Sequence, residues 1–413
     1  MNLVDILTAA MKKNASDVHL KAGLVPVIRK HGKLRPLQQG LPQLSAQMID
    51  EMAASILDEK QRKIFEEKKE VDVGYGIAGL GRFRVNIFRQ RGSTRMVIRN
   101  IPHQIPNFAD LNLPPIVAKL AEFERGLVLV TGITGSGKSS TLAAMINHIN
   151  DTQNTHILTI EDPIEFLIRD RKSIVSQREL GLDTTTFSAA LRAALRQDPD
   201  VILIGEMRDP ETIEIALTAG ETGHLVLSTL HTLDARETIN RILGAFEPHE
   251  QMQVRRQLGS VLKAVVSQRL ARRKDKLGFV PAIEILIVNQ RVKEMIEDPE
   301  KTKDLNLAIE DSKDSMGMQS FDQSLMDLLT KDLIDYDEAL KLSSNPEDFQ
   351  LRAAGVASGS PQWHENSELN KRVRGELDGG ILEIEHIAPP EETEEEAEDT
   401  GDVQIFSEKP SRR

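Results

Sequence analysis

One glycine-rich stretch constrains this chain more than any other. Leu127 to Val130 is an apolar run typical of a buried parallel strand, and the sequence GITGSGKSS follows it at residues 132–140. Apolar residues then recur at helical spacing: Leu142, Met145, Ile146 and Ile149. Because GxxxxGK[ST] lies here between a strand and a helix, it predicts a phosphate-binding loop rather than an ordinary glycine-rich turn.

The residue types of this loop suit an anion. Glycines permit the dihedrals that turn successive N–H groups inward, and the helix N-terminus adds partial positive charge. Lys138 is then placed for the β- and γ-phosphates, and the Ser139 hydroxyl for Mg²⁺. The predicted nucleotide-binding residues are Gly132, Thr134, Gly135, Ser136, Gly137, Lys138, Ser139 and Ser140.

Composition limits the class of protein. The 413 residues are enough for two or three domains, and the absence of cysteine excludes disulfides and a thiolate zinc site. No apolar run is long enough to span a membrane, and the start MNLVDILTAAMKK lacks the apolar region of a signal peptide. We therefore expect a cytoplasmic protein without zinc.

The negative charge is concentrated near the C-terminus. Residues 376–413 carry 13 acidic and 3 basic side chains, which leaves −2 of the net charge of −12 for the rest. The neutral body excludes no partner by charge alone. It has no basic stretch interleaved with aromatic residues, however, so a nucleic-acid partner is not expected. The acidic end predicts a disordered extension.

Pattern changes along the chain divide it into parts. The predicted parts are a small α+β domain (1–99), a proline-rich linker (100–117), an α/β nucleotide-binding domain with a parallel sheet (118–290), a helical region (291–356) and a disordered acidic tail (357–413). Within the third part we expect one long helix from Pro248 to Arg272, followed by a strand from Val280 to Val288.

Arginines are concentrated near the end of the first part. In GRFRVNIFR, residues 81–89, alternation places Phe83, Val85 and Ile87 on one strand face, with Arg82 and Arg84 on the other. Further arginines follow at Arg89, Arg91, Arg95 and Arg99. A solvated strand face would explain any one of them. As a group they suggest an anion, such as phosphates on a neighbouring subunit.

Carboxylates follow two predicted strands of the nucleotide-binding part. Glu161, Asp162 and Glu165 come at the end of one strand, and Glu206 follows the strand Val201 to Ile204. Ligands of open α/β sheets bind at the carboxyl ends of the strands. One acid of the first group can act as the general base towards water, and Glu206 can orient the Mg²⁺ shell.

Two histidines flank a third strand. His224 precedes the run LVLSTL and His231 follows it. Both are candidates for sensing or coupling to the γ-phosphate, although a structural role is the alternative. The ten histidines show no metal-ligand spacing.

Four stretches in this order resemble the motifs of the secretion ATPase superfamily. GITGSGKSS, TIEDPIEF, DPDVILIGEMRD and ETGHLVLSTLHT resemble its Walker A, Asp box, Walker B and His box. The type IV pilus retraction ATPases are the most similar, because SDVHL, GRFRVNIF and GMQSFDQSL extend the resemblance over about residues 1 to 350. The tail lies outside the family pattern.

The resemblance implies an architecture and an activity. It implies a ring-shaped homohexamer whose subunits have a PAS-like N-terminal domain, a RecA-like P-loop ATPase domain and a helical C-terminal part. Such a ring hydrolyses ATP with Mg²⁺ and powers pilus retraction, hence twitching motility, through a platform protein of the inner membrane. The implied location is therefore the cytoplasmic face of that membrane, with membrane association through partners alone.

The resemblance also implies roles for residues. The last glutamate of the Asp box, Glu165, is the expected catalytic base, and Glu206 is the Walker B glutamate. Arginines of the N-terminal domain reach the nucleotide in such rings. The resemblance makes Arg82, Arg84, Arg89, Arg95 and Arg99 the candidates, and Arg82 and Arg84 are favoured among them.

The branch within the family is less clearly marked. RVKEMIED at residues 291–298 replaces a motif resembling AIRNLIRE of PilT-type motors, and FDQSL with the acidic tail favours the PilU-like, accessory branch. GEMRD and TLHT are closer to the PilT type. The PilU-like branch is our expectation. The alternative is an ATP-binding adaptor hexamer that docks on a sister retraction ATPase. A DNA-translocating ring is a third hypothesis.

Overall fold

The computed structural model describes residues 2–30, 32–101, 105–275 and 278–354. Part of the predicted linker (102–104) and the whole predicted tail (357–413) lie outside the described residues. Two β-sheets, of six and seven strands, organise the described part of the chain. Within it, no helix is long and apolar enough to cross a membrane.

The N-terminal domain is an antiparallel sheet with helices on one face. The sheet order is β3-β2-β1-β6-β5-β4. Its elements are α1 (Leu3–Lys12), β1 (Asp17–Lys21), β2 (Val27–Lys30), β3 (Lys33–Pro36), α2 (Ala46–Ile56), α3 (Glu59–Lys68), β4 (Glu70–Ile77), β5 (Gly81–Gln90) and β6 (Ser93–Ile101). The predicted alternation in β5 is confirmed, since Phe83, Val85 and Ile87 are buried against the helices. Strand β6 continues two residues past the predicted domain boundary at residue 99.

The second sheet is mostly parallel and is covered by helices on both faces. Its order is β13-β12-β7-β11-β10-β8-β9, and only the β12–β13 pair is antiparallel. Its strands are β7 (Gly126–Thr131), β8 (His156–Glu161), β9 (Ile174–Glu179), β10 (Val201–Ile204), β11 (Leu225–Leu230), β12 (Leu262–Arg272) and β13 (Phe279–Ile287). Its helices are α4 (Ile116–Ala121), α5 (Lys138–Thr152), α6 (Phe187–Ala194), α7 (Pro210–Glu221), α8 (Ala235–Leu243) and α9 (Gln251–Val261). The predicted α/β class is confirmed.

Alternate residues of β7 explain this layering. Leu127 and Leu129 pack with α6 to α9, whereas Val128 and Val130 pack with α4 and α5. All four side chains are fully buried. A strand buried on both faces has a continuous apolar sequence, as strands of parallel sheets usually do.

The predicted helix from Pro248 to Arg272 is wrong. Helix α9 ends at Val261, and the next residue begins β12, which lies between β7 and β13 inside the sheet. Periodicity alone cannot distinguish a strand buried on both faces from a buried helix. Ala264, Val265 and Val266 are fully buried, and their place in the sheet decides their conformation.

The C-terminal region is helical, as predicted. It contains α10 (Gln290–Glu297), a 3₁₀ turn (Thr302–Asp304), α11 (Leu305–Asp311), α12 (Lys313–Met316), α13 (Phe321–Thr330), α14 (Tyr336–Leu342) and α15 (Pro346–Ala353). Phe321 and Leu325 of α13 pack on Ala282 of β13, together with Phe349 of α15. This cluster joins the helical region to the edge of the seven-stranded sheet.

Candidate functional site

The phosphate-binding loop connects β7 to α5, as predicted. Gly132, Gly135 and Gly137 have φ values of 139°, 83° and 94°, in the region that favours glycine. A Cβ on Gly132 would lie 2.5 Å from the Gln268 carbonyl oxygen and 2.5 Å from Ser136 Oγ. The loop therefore requires glycine both for its backbone conformation and for its contact with β12.

Lys138 is folded back onto this loop. Its Nζ donates to the carbonyl oxygens of Gly132, at 2.8 Å, and Ile133, at 3.1 Å. Burial lowers the pKa of Lys138, whereas the charges of Glu206 and Glu165 raise it. Both predicted functional glutamates thus act electrostatically on the lysine expected to meet the phosphates.

A cleft of about 360 Å³ opens beside the loop, where strands β7, β8, β10 and β11 end. Its polar and charged lining residues are Thr134, Lys138, Ser139, Thr159, Glu161, Asp162, Glu165, Glu206, Arg208, Thr229 and His231. Its apolar wall includes Leu142, Ile146, Phe166, Ile168 and Phe187. Four of the eight predicted loop residues therefore line one cavity together with the predicted carboxylates: Thr134, Gly135, Lys138 and Ser139. The other four, Gly132, Ser136, Gly137 and Ser140, are not among its lining residues.

Two carboxylates of the first group, Glu161 and Glu165, lie in different environments. Glu161 accepts hydrogen bonds from Thr159 Oγ1, at 2.6 Å, and Gln177 Nε2, at 3.1 Å, and burial raises its pKa. Glu165 is exposed at the cleft wall. Because a general base must reach the attacking water, the geometry favours Glu165 over the engaged Glu161.

Glu206 lies beside Arg208 and His231. Its Oε2 is 2.6 Å from Arg208 Nη2 and 3.6 Å from His231 Nε2, and the bond to Glu206 raises the pKa of Arg208. His231 Nδ1 is 3.5 Å from Thr134 Oγ1 of the phosphate loop. The structure therefore places His231 in the cleft. Arg208 is a lining residue that our sequence reasoning did not select, although it stands in the GEMRD stretch quoted for Walker B.

The prediction that His224 lies near the γ-phosphate is wrong within this chain. His224 precedes Leu225, which pairs with Gly126 at the start of β7, whereas the phosphate loop follows the end of β7. His224 Nδ1 is 2.9 Å from the Ala219 carbonyl oxygen, at the end of α7. The two histidines lie at opposite ends of β11 because both flank one extended strand.

The favoured arginines lie outside the cleft of their own chain. Arg82 forms an ion pair with Glu179 of β9, at 2.8 Å, and Arg84 with Asp72 of β4, at 3.3 Å. Their predicted contact with a nucleotide between subunits stays a prediction.

The residues fit a magnesium nucleotide. Three loop glycines have positive φ values, and the buried Ser136 Oγ has no hydrogen-bond partner. The loop therefore has a polar oxygen that could bind a phosphate. In the described residues, no cluster of three His, Asp or Glu could hold a metal ion alone. Mg²⁺ is commonly bound by few protein ligands together with substrate phosphates. Ser139 and Glu206 would therefore be enough protein ligands for Mg²⁺ here.

Fold and site together define a P-loop ATPase: a parallel sheet carries a phosphate loop, with acidic groups at the neighbouring strand ends. The family model described as "Type II/IV secretion system protein" matches residues 2–305. The chain belongs to this family.

Relatives within the family support the resemblance seen in the sequence. The type IV pilus retraction ATPase PilT of Pseudomonas aeruginosa is 44% identical over 349 residues, covering 84% of this chain and 100% of the relative. The type IV pilus ATPase PilU of the same organism is 39% identical over 351 residues, covering 85% and 91%. A crystal structure of the pilus retraction motor PilT with bound ADP has a TM-score of 0.78 at 44% identity, covering 84% of this chain and 98% of that one.

Proposed function

We propose that this protein is a hexameric ATPase motor of the PilU-like kind that powers type IV pilus retraction. The observation that carries the proposal is the shared cleft of Lys138, Glu165 and Glu206, because phosphoryl transfer needs a phosphate cradle, a base and a metal-shell acid in one place. The relatives named for the type IV pilus support the proposal that the motor acts on this pilus.

In this proposal each residue has a defined task. The phosphate loop and Lys138 bind the β- and γ-phosphates. Ser139 and Glu206 would hold Mg²⁺, which would supply positive charge to the phosphates. Glu165 orients and deprotonates water from the cleft wall. Arg82 and Arg84 complete the site of a neighbouring subunit from the N-terminal domain, which for Arg82 requires its ion pair with Glu179 to open. His231 couples Glu206 to the phosphate loop. Such positioning supplies most of the catalysis in phosphoryl transfer.

The assignment to the PilU-like branch rests on FDQSL and the acidic tail. Identity is higher to the PilT relative, at 44%, than to the PilU relative, at 39%. The proposed partners are five further copies, a platform protein of the inner membrane and a sister retraction ATPase. Neither nucleic acid nor zinc is a proposed partner. The proposed location is the cytoplasmic face of the inner membrane.

The test is steady-state ATP hydrolysis by the full chain as a function of protein concentration, with particle mass measured in parallel. Specific activity should rise together with the hexamer fraction, since the site is proposed to use residues from two subunits. Full activity in a monomer would contradict the shared site.

The adaptor is the alternative function, favoured by the same acidic tail. A stable hexamer that binds ATP without turnover, and that stimulates a sister ATPase when mixed with it, would replace the motor proposal by the adaptor. The Lys138→Ala variant is the control, because it should lose ATP binding under either function.

A further inference from the structure

We propose that Gln177 and Glu179 of β9 are positioning residues that hold the loop carrying Glu165 in its working place. This inference rests on the proposed function, because it assigns a role towards the proposed catalytic base. Neither residue belongs to the four nucleotide-site stretches recognised in the sequence.

Strand register brings these side chains to the loop. β9 is the edge strand and pairs in parallel with β8, so that Thr159 lies beside Gln177 and Glu161 beside Glu179. Paired residues of neighbouring strands point to the same face of a sheet. Thr159 and Glu161 line the cleft, so Gln177 and Glu179 share the face on which the loop at residues 162–168 lies.

Gln177 holds the loop on the C-terminal side of Glu165. Its Nε2 donates to the Phe166 carbonyl oxygen, at 2.9 Å, and to Glu161 Oε1, at 3.1 Å. Its Oε1 accepts from the Ile168 backbone N–H, at 2.8 Å. One amide therefore fixes two backbone groups of the loop and the carboxylate at its start.

Glu179 holds the loop on the N-terminal side of Glu165. Its side chain is buried, and its Oε2 accepts from the Ile164 backbone N–H, at 3.3 Å. Ile164 immediately precedes Glu165, so the two residues of β9 bracket the proposed base. A base fixed in this way needs no reordering when water and nucleotide arrive.

Glu179 also connects the loop to the N-terminal domain. The same Oε2 is 2.8 Å from Arg82 Nη2, and the Arg82 side chain is largely buried. A Cβ on Gly74 of β4 would lie 3.0 Å from this guanidinium and 3.1 Å from Glu179 Oε1, so the pair is closely enclosed. A change in the position of the N-terminal domain would therefore act on the loop through Glu179.

Two variants of the full chain test the inference. Gln177→Met keeps the side-chain length but removes all three hydrogen bonds. Glu179→Gln keeps an acceptor for Ile164 but loses the charge that pairs with Arg82. The matched controls are Gln253→Met on α9 and Glu214→Gln on α7, both at exposed positions.

Hydrogen–deuterium exchange is measured first. Exchange at residues 162–168 should rise about 3- to 10-fold in Gln177→Met, since each lost hydrogen bond is worth that much. Exchange at residues 132–139 should stay as in the wild type. Unchanged exchange at 162–168, or equal increases over the whole domain, would overturn the inference. This readout needs no turnover, so it stands even if the wild type hydrolyses no ATP and the proposed function fails.

Kinetics then separate positioning from general damage. In Gln177→Met kcat should fall about 10²-fold, while the KM for ATP and the affinity for ADP change less than about 2-fold, because misplacing a catalytic group by about 1 Å costs this much. In Glu179→Gln, which keeps the acceptor for Ile164, kcat should fall less than in Gln177→Met. A parallel loss of kcat, ADP affinity and thermal stability would indicate a purely structural role and would overturn the proposal. The two controls should match the wild type in every measurement.

Discussion

Single residues of the cleft show how environment separates similar side chains. Glu161 is engaged by two donors, Glu165 faces the cavity, and Glu206 is paired with Arg208. Carboxylates in different surroundings can take different catalytic roles. The Asp box predicted three candidates for the base, and the hydrogen bonds of Glu161 favour Glu165 for that role.

Replacing the proposed base should separate chemistry from binding. We expect Glu165→Gln to lower kcat about 10²- to 10⁴-fold, the usual contribution of a general base, with ADP affinity preserved. Lys138→Ala should abolish hydrolysis by removing a phosphate contact, so it should lose nucleotide affinity as well. Initial rates and ADP titrations measure both effects, with exposed Glu214→Gln as control. Near-normal turnover in either variant would exclude the role assigned to that residue.

Glu284 gives stability a pH dependence outside the cleft. It accepts from the Ala235 backbone N–H, at 2.8 Å, and burial raises its pKa from 4.5 to about 7. Asp234 and Asp322 also raise this pKa, whereas Arg269 lowers it. Between these two pKa values the folded state binds more protons than the unfolded state, so its stability falls as the pH rises to about 7.

The Glu284→Gln variant should lose this dependence while keeping an acceptor for Ala235. From about pH 5 to about pH 8, the variant should gain unfolding free energy relative to the wild type by on the order of 1–3 kcal/mol. Urea unfolding at several pH values measures the difference. Parallel stability curves for the two proteins would show that Glu284 is ionised alike in both states.

At the scale of elements, sequence patterns predicted the four strands around the site, β7, β8, β10 and β11. They did not predict β12 and β9, which lie on either side of these four strands. The amphipathic spacing of α5 and the apolar run of β7 are local signals, and both are confirmed. Strand β12 resembled a helix because Ala264, Val265 and Val266 in its first half are apolar on both faces. Strand β9 gave no periodic signal, because it is an edge strand with polar Ser176, Gln177 and Arg178 in succession. Its contacts with the Glu165 loop depend on strand register, which a single sequence does not specify.

Close packing of α7 against its neighbours makes Gly220 sensitive to substitution. A Cβ there would lie 2.5 Å from Val261 Cγ1 and 3.3 Å from the backbone of Gly126. We expect Gly220→Ala to destabilise the domain by about 1–3 kcal/mol, as overpacking does in well-packed interiors. Chemical denaturation measures the change, and exposed Thr218→Ala on the same helix is the control. Unchanged stability would show that α7 and α9 can separate at no cost.

For the whole molecule, the residues of the cleft and the concentration of acidic residues lie in different parts of the sequence. Among the described residues, those that line the cleft lie between positions 134 and 231, whereas 13 of the 64 acidic residues lie between 376 and 413. We therefore expect the charge of the tail to serve a partner rather than the cleft. Attraction between exposed charges is screened over about 8 Å at physiological ionic strength, so tail-dependent binding should weaken with salt.

Deleting residues 357–413 should distinguish the tail's role from that of the ring. We expect ATP hydrolysis within about 2-fold of the wild type, the usual scatter for changes remote from a site, while binding to a sister ATPase or platform protein is lost.

A second variant keeps the length but replaces the seven acidic residues between Glu391 and Asp399 by their amides. If charge carries the contact, this variant should bind as weakly as the deletion at every salt concentration. Retained binding would instead place the contact in the apolar segments at 381–387 and 403–406. Loss of hydrolysis together with binding would contradict the separation, because it would make the tail part of the motor.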